Sequence, residues 1–224
     1  MTTDVFGAGI DHEGLRIKAW SLGPFQTNCY IVWSGKTSKC FFVDASFGAD
    51  IMARFAREHG LEPQALLLTH AHLDHIAGVR AVKAAYPKLE VLIHEAEGPW
   101  LLDSHLNLSE QAGMPVTAPV ADRLLRHADA IELVGATWEV RHTPGHSPGG
   151  ITLAHAAGSF AFVGDALFSG SIGRTDFPGS DHAALLESIR SRIYTLPAEA
   201  VCYCGHGPPT TVARERLSNP FVRG

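Results

Sequence analysis

The stretch Thr69-His-Ala-His-Leu-Asp-His75 decides the fold of this chain, because it places four metal-binding side chains directly after an apolar run. That run, Ala65–Thr69, predicts a short strand buried on both faces. A His-x-His-x-Asp-His string is too tight for all four side chains to reach one ion without severe strain. It can serve two adjacent ions, with His70 and His72 turned one way and the Asp-His pair the other.

Three further ligand-type residues follow predicted strands. His146 comes after Thr137–Thr143, Asp165 after Phe160–Gly164, and His206 after Ala200–Cys204. Strand ends are rigid and the loops that follow them can converge, so ligands gather there in α/β folds. Asp165 is the candidate for a carboxylate that bridges two ions. These positions predict a two-metal site of imidazole and carboxylate ligands.

The order of predicted elements indicates an α/β fold in which two sheets pack together with helices outside, each half of the chain supplying one sheet. The predicted strands of the first half are Leu15–Trp20, Asn28–Trp33, Cys40–Asp44, Ala65–Thr69 and Val91–His94. Helices are predicted at Asp50–His59, at about Ile76–Tyr86 and at Asp181–Tyr194, with Asp181 as an N-cap. The less regular stretch Glu95–Val120 is predicted to wall the site.

Composition bounds the class of protein. The chain has 224 residues, 46% of them hydrophobic, which fits one domain spanning residues 1–224. The net charge is −5 and no basic run occurs, so neither nucleic acid nor a membrane is expected as a partner. The start lacks the features of a signal peptide and no apolar run approaches the roughly 18–20 residues of a membrane helix. We therefore expect a cytoplasmic protein whose four cysteines are buried, inert thiols. The Cys-x-Cys pair Cys202 and Cys204 could bind metal, but in an alternating strand both thiols are expected to point to one buried face.

The remaining histidines are not predicted to be metal ligands. A single histidine is more often a hydrogen-bonded structural residue than a ligand. His94, His105 and His142, which lie near the site in sequence, are expected to have a supporting role, either beside the ligands or in the structure. The chain has 13 histidines, and the others expected to be structural are His12, His59, His127, His155 and His182.

Four motifs resemble, in order, the signature motifs of the metallo-β-lactamase superfamily. They are Thr69–His75, Thr143-Pro-Gly-His-Ser-Pro-Gly149, Gly164-Asp-Ala-Leu-Phe168 and Gly205-His-Gly-Pro208. The resemblance implies a four-layer αββα sandwich. It also implies two divalent ions, zinc by default with iron or manganese tolerated. The implied ligands are His70, His72 and His146 for one ion, Asp74, His75 and His206 for the other, and Asp165 for both.

Within the superfamily, three stretches resemble the short bacterial glyoxalase II type, the hydroxyacylglutathione hydrolases. They are Gly170–Pro178, Gly205–Thr211 and Asn219-Pro-Phe221. The resemblance implies cleavage of a small thioester, S-lactoylglutathione or a relative, by a hydroxide that bridges the ions. Asp74 and Asp165 are then the catalytic carboxylates, with Asp74 orienting the nucleophile, and Arg174 corresponds to a basic residue that contacts the glycine carboxylate of glutathione.

Other activities and features stay open at this point. A persulfide dioxygenase of the same fold uses a single iron and carries a similar Gly-Arg-Thr-Asp-Phe stretch, but its last motif resembles Pro-Ala-His-Asp. A lactonase is a further alternative, whereas β-lactamases usually differ at the position of Asp165. Pro208 and Pro209 stand where larger glyoxalase II enzymes have a substrate-binding tyrosine, so another thiol carrier stays open. The sequence does not fix the oligomeric state.

Overall fold

The architecture was analysed in a computed structural model that describes residues 3–4, 9–12 and 14–224. Its helices are α1 (Asp50–Glu58), α2 (Leu73–Ile76), α3 (Val79–Ala85), α4 (His182–Ser188) and α5 (Val212–Ser218). Short 3-10 helices cover Glu95–Glu97 and Pro99–Leu102, and a π-helical turn, Ile189–Ile193, continues α4. No described helix has the length and apolar character needed to cross a membrane.

The strands form two large sheets and a small hairpin. The first sheet holds β1 (Thr3–Asp4), β2 (Ile10–His12), β3 (Leu15–Leu22), β4 (Thr27–Ser34), β5 (Lys39–Val43), β6 (Glu62–Leu67), β7 (Glu90–His94) and β8 (Arg123–Leu125). Then follow β9 (Ala130–Leu133), β10 (Ala136–His142), β11 (Ile151–His155), β12 (Phe160–Gly164), β13 (Leu167–Phe168), β14 (Ser171–Ile172), β15 (Val201–Cys204) and β16 (Thr210–Thr211). The second sheet has the order β16-β15-β12-β11-β10-β9, and β13 pairs with β14. Each half of the chain thus supplies one sheet, as predicted.

Alternation along the strands places the core in three layers. In β5, Phe41 and Val43 face the second sheet, while Cys40 and Phe42 face α1 and α3. In the second sheet, Phe160 and Phe162 of β12 point back toward the first sheet, and the alternate residues of that strand pack under α4 and α5. Side chains that alternate between two buried faces require a covering layer on each side of each sheet. The result is the αββα sandwich that the motifs implied.

All four cysteines lie in these cores. Cys29 and Cys40 belong to the layer under α1, and Cys202 and Cys204 share the layer under α4. All are free and buried, and burial raises the pKa of each thiol. The expectation of buried thiols is confirmed, including the common face of the Cys-x-Cys pair.

The helix predicted from Ile76 is divided in two, and it begins earlier than expected. The amide of Gly78 donates to the carbonyl of Ala45 at 2.7 Å, so it does not continue the helical ladder of α2. A Cβ at Gly78 would lie 2.2 Å from the carbonyl oxygen of Ser46, so only glycine permits this approach. The break separates α2, which carries Asp74 and His75, from α3.

Candidate metal centre

Strand direction explains why the predicted ligands meet. β5 and β6 run parallel in the first sheet, and β12 and β15 run parallel in the second. β10 has the same direction as β12, because each is antiparallel to β11. The loops after all these strands therefore lie at one edge of the sandwich, and they carry the predicted ligands.

The two sheets are joined at this edge by backbone hydrogen bonds. The amide of Ile151 donates to the carbonyl of Thr69 at 2.9 Å, and the amide of Asn28 donates to the carbonyl of Gly205 at 2.7 Å. The side chain of Asn28 also donates to the carbonyls of Cys204 and Gly207. These bonds fix the spacing between loops that come from different sheets.

The first group of ligand-type atoms, the first triad, consists of His70, His72 and His146. One nitrogen from each of these buried rings lies within 4.8 Å of the others. Nδ1 of His72 is 2.9 Å from Nε2 of His146. Three imidazole nitrogens that face one point are a set of donors that suits zinc and similar ions.

The second triad consists of Asp74, His75 and His206, whose ligand atoms also lie within 4.8 Å of one another. Oδ2 of Asp74 is 3.2 Å from Nε2 of His206 and 3.5 Å from Nε2 of His75. The structure thus brings together the second predicted ligand set, with two imidazoles and one carboxylate.

Asp165 lies between the two triads. Its Oδ2 is 3.6 Å from Nε2 of His146 and 3.4 Å from Nε2 of His206, while its Oδ1 is 3.4 Å from Nε2 of His75. The carboxylate therefore faces histidines of both sets. This is the position expected of a group that serves two neighbouring ions.

Several ligand-type atoms of the cluster have no hydrogen-bond partner within the protein. Nε2 of His70, Nε2 of His75 and Oδ1 of Asp165 are buried without a hydrogen-bond partner. Buried polar atoms normally have a partner, and an orphaned atom that points into a ligand cluster indicates a bound group. The residues present can therefore hold metal ions here.

Proton affinities within the cluster are strongly perturbed. Burial and the charge of His75 lower the pKa of His70, and burial and His146 lower the pKa of His72 to about 3. Burial also disfavours the charged form of His206, but Asp165 and Asp74 outweigh it and raise the pKa to about 10. Divalent cations compete with protons for such groups. Metal binding is therefore expected to release protons.

Asp44 is a supporting residue that the prediction missed. Its buried carboxylate accepts from Nδ1 of His75, from the amide of Thr69 and from the hydroxyl of Thr69, each at 2.8 Å. These bonds orient the ring of His75 and leave its Nε2 facing the cluster. Asp44 follows β5 directly, so the pattern that identified Asp165 also marked it.

Glu97 is a second missed residue. Its Oε2 accepts from the amide of Ala71 at 2.5 Å and its Oε1 accepts from the amide of Gly149 at 2.7 Å. The side chain is 0% exposed, so it links the loop of His70 to the loop of His146 from within the core. No feature of the sequence separates this glutamate from those at the surface.

Close packing around Asp165 requires glycine. A Cβ at Gly205 would lie 1.9 Å from Oδ1 of Asp165, and one at Gly173 would lie 1.9 Å from its carbonyl oxygen. Both glycines come from stretches that the motifs include. Gly205 lets the backbone approach the carboxylate of Asp165, and Gly173 lets it approach the carbonyl of the same residue.

A cavity of about 630 Å³ opens beside the cluster. Asp74, His146, Asp165 and His206 lie in its wall, together with Arg174. Leu108, Gln111 and Ala112 also line it, so the stretch Glu95–Val120 contributes a wall as predicted. Arg174 contributes to the site in two ways. Its backbone carbonyl accepts from Nδ1 of His146 at 2.8 Å, and the residue lines the cavity.

The guanidinium of Arg174 is already paired. Its Nε and Nη2 lie 2.6 and 2.7 Å from the two carboxylate oxygens of Asp176. The guanidinium carbon also lies 4.0 Å from the ring centroid of Phe177. Arg174, the predicted substrate contact, therefore lines the cavity. Its pairing with Asp176 was not indicated by the sequence.

His94 and His142 lie outside the ligand groups. Their rings stack with centroids 4.0 Å apart, and Nε2 of His142 is 2.9 Å from the carbonyl of Pro148. These contacts agree with the supporting role that was expected of them.

The comparison with protein families decides the class. The sequence profile of the metallo-β-lactamase superfamily matches residues 22–206, which include every ligand-type residue of the cluster. The chain belongs to the metallo-β-lactamase superfamily. Its fold is that of this superfamily, and two relatives carry hydrolase names.

Two relatives cover almost the whole chain. A probable metallo-hydrolase of Bacillus subtilis, YqgX, is 37% identical over 91% of this chain and 95% of its own length. The hydroxyacylglutathione hydrolase GloC of Haemophilus influenzae is 34% identical over 93% of this chain and 98% of its own length.

Solved structures of the superfamily superpose well. The BLEG-1 B3 metallo-β-lactamase has a TM-score of 0.88 at 40% identity and covers 93% of this chain and 100% of its own. TTHA1623, solved in a di-iron-bound form, has a TM-score of 0.79 at 36% identity and covers 90% and 98%. ETHE1 of Myxococcus xanthus, at 24% identity and a TM-score of 0.71, shares the fold and covers 98% and 83%.

Proposed function

We propose that this superfamily member is a dinuclear metal-dependent hydrolase that cleaves small-molecule thioesters, with S-lactoylglutathione or a related hydroxyacyl-glutathione as the first substrate class. The observation that carries the proposal is the position of Asp165 between two complete triads, within 3.6 Å of histidines from both.

The assignment of ligands follows the triads. His70, His72 and His146 would hold one ion, Asp74, His75 and His206 the other, and Asp165 both. Zinc is our first choice, while iron and manganese accept the same donors, and a superfamily structure has been solved in a di-iron form. Such a pair of divalent ions supplies a water of lowered pKa and polarises a carbonyl oxygen.

Asp74 is the side chain placed to orient the attacking water. The hydroxyl of Thr27 donates to its Oδ2 at 2.6 Å, which fixes the carboxylate against rotation. Asp74 also lines the cavity, so its carboxylate faces the space that a substrate enters. Burial disfavours the charge of Asp74, but His75 and His206 outweigh it and lower the pKa, so the group stays an acceptor.

The substrate class rests on the leaving group and on the lack of a protein nucleophile. A thiolate is a good leaving group and needs no dedicated general acid. The four cysteines are buried with raised pKa. The one Gly-x-Ser-x-Gly match, residues 145–149, lies between two strands and not between a strand and a helix. Its Ser147 is 1% exposed and does not line the cavity, so neither residue type supplies a nucleophile. The name of the GloC relative agrees with a hydroxyacyl thioester.

The test is loss of the thioester absorbance of S-lactoylglutathione by zinc-reconstituted protein, beside an Asp165→Asn variant. Turnover of about 1 s⁻¹ or faster in the wild type, absent in the variant, supports the proposal. Metal content, measured by mass spectrometry, is expected near two ions per chain in the wild type and lower in the variant. Metal-loaded protein that cleaves no thioester would refute it.

Two other activities are measured in the same preparation. A persulfide dioxygenase with a single iron needs one triad, whereas here Asp74, His75 and His206 form a second. Oxygen uptake with glutathione persulfide and one iron per chain would establish that alternative. Hydrolysis of a lactone or of a β-lactam, the class named for BLEG-1, is assayed alongside it.

A further inference from the structure

The cavity beside Asp74 has a predominantly apolar wall. Its apolar lining comprises Phe25, Leu108, Ala112, Phe168, Ile172 and Phe177. Within the part of the chain that the structure describes, Arg174 is the single lysine or arginine in this wall. A cavity of about 630 Å³ lined in this way is suited to an apolar group of several carbons.

The backbone at Leu108 supports a functional role for the wall. This residue has a φ of +67°, a conformation that disfavours a bulky side chain. Its side chain is nevertheless 8% exposed and lies in the cavity wall. Leu108 lies in a turn region after the 3-10 helix Pro99–Leu102, and backbone strain of this kind gathers at ligand sites.

The charge of Arg174 is cancelled at the cavity by Asp176. The Nε–H and Nη2–H groups of Arg174 both donate to the carboxylate of Asp176. The exposed fraction is 58% for the side chain of Arg174 and 66% for that of Asp176. An anionic substrate that approaches Arg174 therefore meets an equal and opposite charge beside it. The remaining face of the guanidinium stacks on Phe177, which extends the apolar wall.

We propose that the site selects thioesters by an apolar substituent packed against this wall, and that Asp176 weakens binding of the anionic tripeptide glutathione by occupying Arg174. The inference rests on the proposed thioester hydrolysis and ranks its substrates, with neutral, apolar thioesters ahead of the glutathione esters. Asp176 is thus a specificity-determining residue that acts through Arg174, and Leu108 is one that contacts the substrate.

The kinetic test uses two acyl groups on two thiols: lactoyl and hexanoyl esters of glutathione and of N-acetylcysteamine, which is neutral. We expect kcat/KM for the hexanoyl ester of N-acetylcysteamine to exceed that for S-lactoylglutathione by roughly tenfold or more, since each buried methylene favours binding several-fold. The reverse order would overturn the inference. The acyl and thiol series show separately which part of the substrate the wall contacts.

Two variants test the named residues. In Asp176→Asn, KM for the glutathione esters is expected to fall roughly two- to tenfold relative to KM for the N-acetylcysteamine esters. In Leu108→Asn, whose new residue tolerates a positive φ, the preference for hexanoyl over lactoyl is expected to fall. The control Glu95→Gln removes the same charge from another exposed pair, Arg126–Glu95, which does not line the cavity. Equal effects of Asp176→Asn and Glu95→Gln would overturn the role of Asp176.

A binding measurement separates this inference from the proposed function. Calorimetry with the S-methyl and S-hexyl thioethers of both thiols needs no turnover. Tighter binding of the hexyl compounds, reduced by Leu108→Asn, supports the inference even if no thioester is cleaved, an outcome that would refute the proposed function alone. Equal binding of methyl and hexyl compounds by a metal-loaded, active enzyme refutes the inference and leaves the hydrolase intact.

Discussion

Replacing Glu97 by glutamine tests whether one buried carboxylate holds the first triad together. The carboxylate accepts one hydrogen bond from each of two loops, through Ala71 and through Gly149. Ala71 lies between His70 and His72, and Gly149 follows the loop of the third histidine. Glutamine keeps the shape of the side chain and retains one acceptor oxygen, but its amide group turns a donor toward a backbone N–H.

The magnitude follows from those two bonds. Glu97→Gln loses one charge-assisted hydrogen bond and leaves one buried amide without an acceptor, which costs about 2–4 kcal/mol of unfolding free energy. Burial raises the pKa of Glu97 despite its hydrogen bonds to the backbone, so the charged carboxylate is itself costly. The loss is therefore expected near the lower end, about 2 kcal/mol. Metal affinity of the first triad is expected to fall roughly tenfold or more because its loops separate.

Glu215→Gln supplies a matched control. Glu215 is also 0% exposed, and it accepts from the amide of Gly170, the hydroxyl of Thr210 and the side chain of Asn219. Its partners lie in the β13–β14 turn, in β16 and at the end of α5, and none of them belongs to the loops of the first triad. Urea unfolding and competition with a chromophoric chelator are measured for both variants. Comparable loss of metal affinity in Glu97→Gln and Glu215→Gln, or an unfolding free energy unchanged by Glu97→Gln, would refute the reasoning.

Three further changes probe the site and its surroundings. Asp44→Asn removes the charged acceptor of His75, so metal affinity measured by chelator competition should fall about 10- to 100-fold; an unchanged affinity would contradict this. Gly205→Ala places a methyl group against Asp165, and we expect loss of bound metal, measured by mass spectrometry, that native binding would contradict. The pKa of His94 is lowered to about 4 by burial and a stacked imidazole, whereas an unfolded histidine titrates near ~6.5. The unfolded chain thus binds the proton first, so stability is lost as pH falls through this window. Between pH 7 and pH 4, His94→Phe should lose about 1–3 kcal/mol less unfolding free energy than the wild type, measured by urea unfolding. Equal losses in the two proteins would contradict this.

Strand ends could be predicted because they depend on short-range patterns. Apolar runs mark the buried strands, and the residue after each run is fixed in position by the sheet. Phe160–Gly164 is observed as predicted, and Asp165 after it lies at the centre of the cluster. The same rule marked Asp44, whose position after β5 went unused. Ligands that follow strands are therefore readable from sequence, and their grouping into two triads agrees with the expected division of the His-x-His-x-Asp-His string.

Features that depend on contacts between distant segments could not be predicted. The helix predicted from Ile76 is divided because Gly78 approaches Ala45, and hydrophobic periodicity along the sequence does not predict this contact. No hydrophobic periodicity or motif marks Glu97 as buried, so it is distinguished only by the two loops that surround it. Arg174 lines the cavity as expected, but its pairing with Asp176 depends on side-chain geometry.

Separate residues support the metal cluster and shape the substrate cavity. Asp44 and Glu97 hold the ligand loops through backbone and imidazole hydrogen bonds and lie outside the cavity wall. Leu108 and the Arg174–Asp176 pair belong to the cavity side and can change without disturbing those bonds. Relatives at 34–40% identity carry names as different as hydroxyacylglutathione hydrolase and B3 metallo-β-lactamase while sharing this fold. Membership of the superfamily therefore constrains the type of metal-ligating residues, whereas the substrate class depends on the residues that line the cavity.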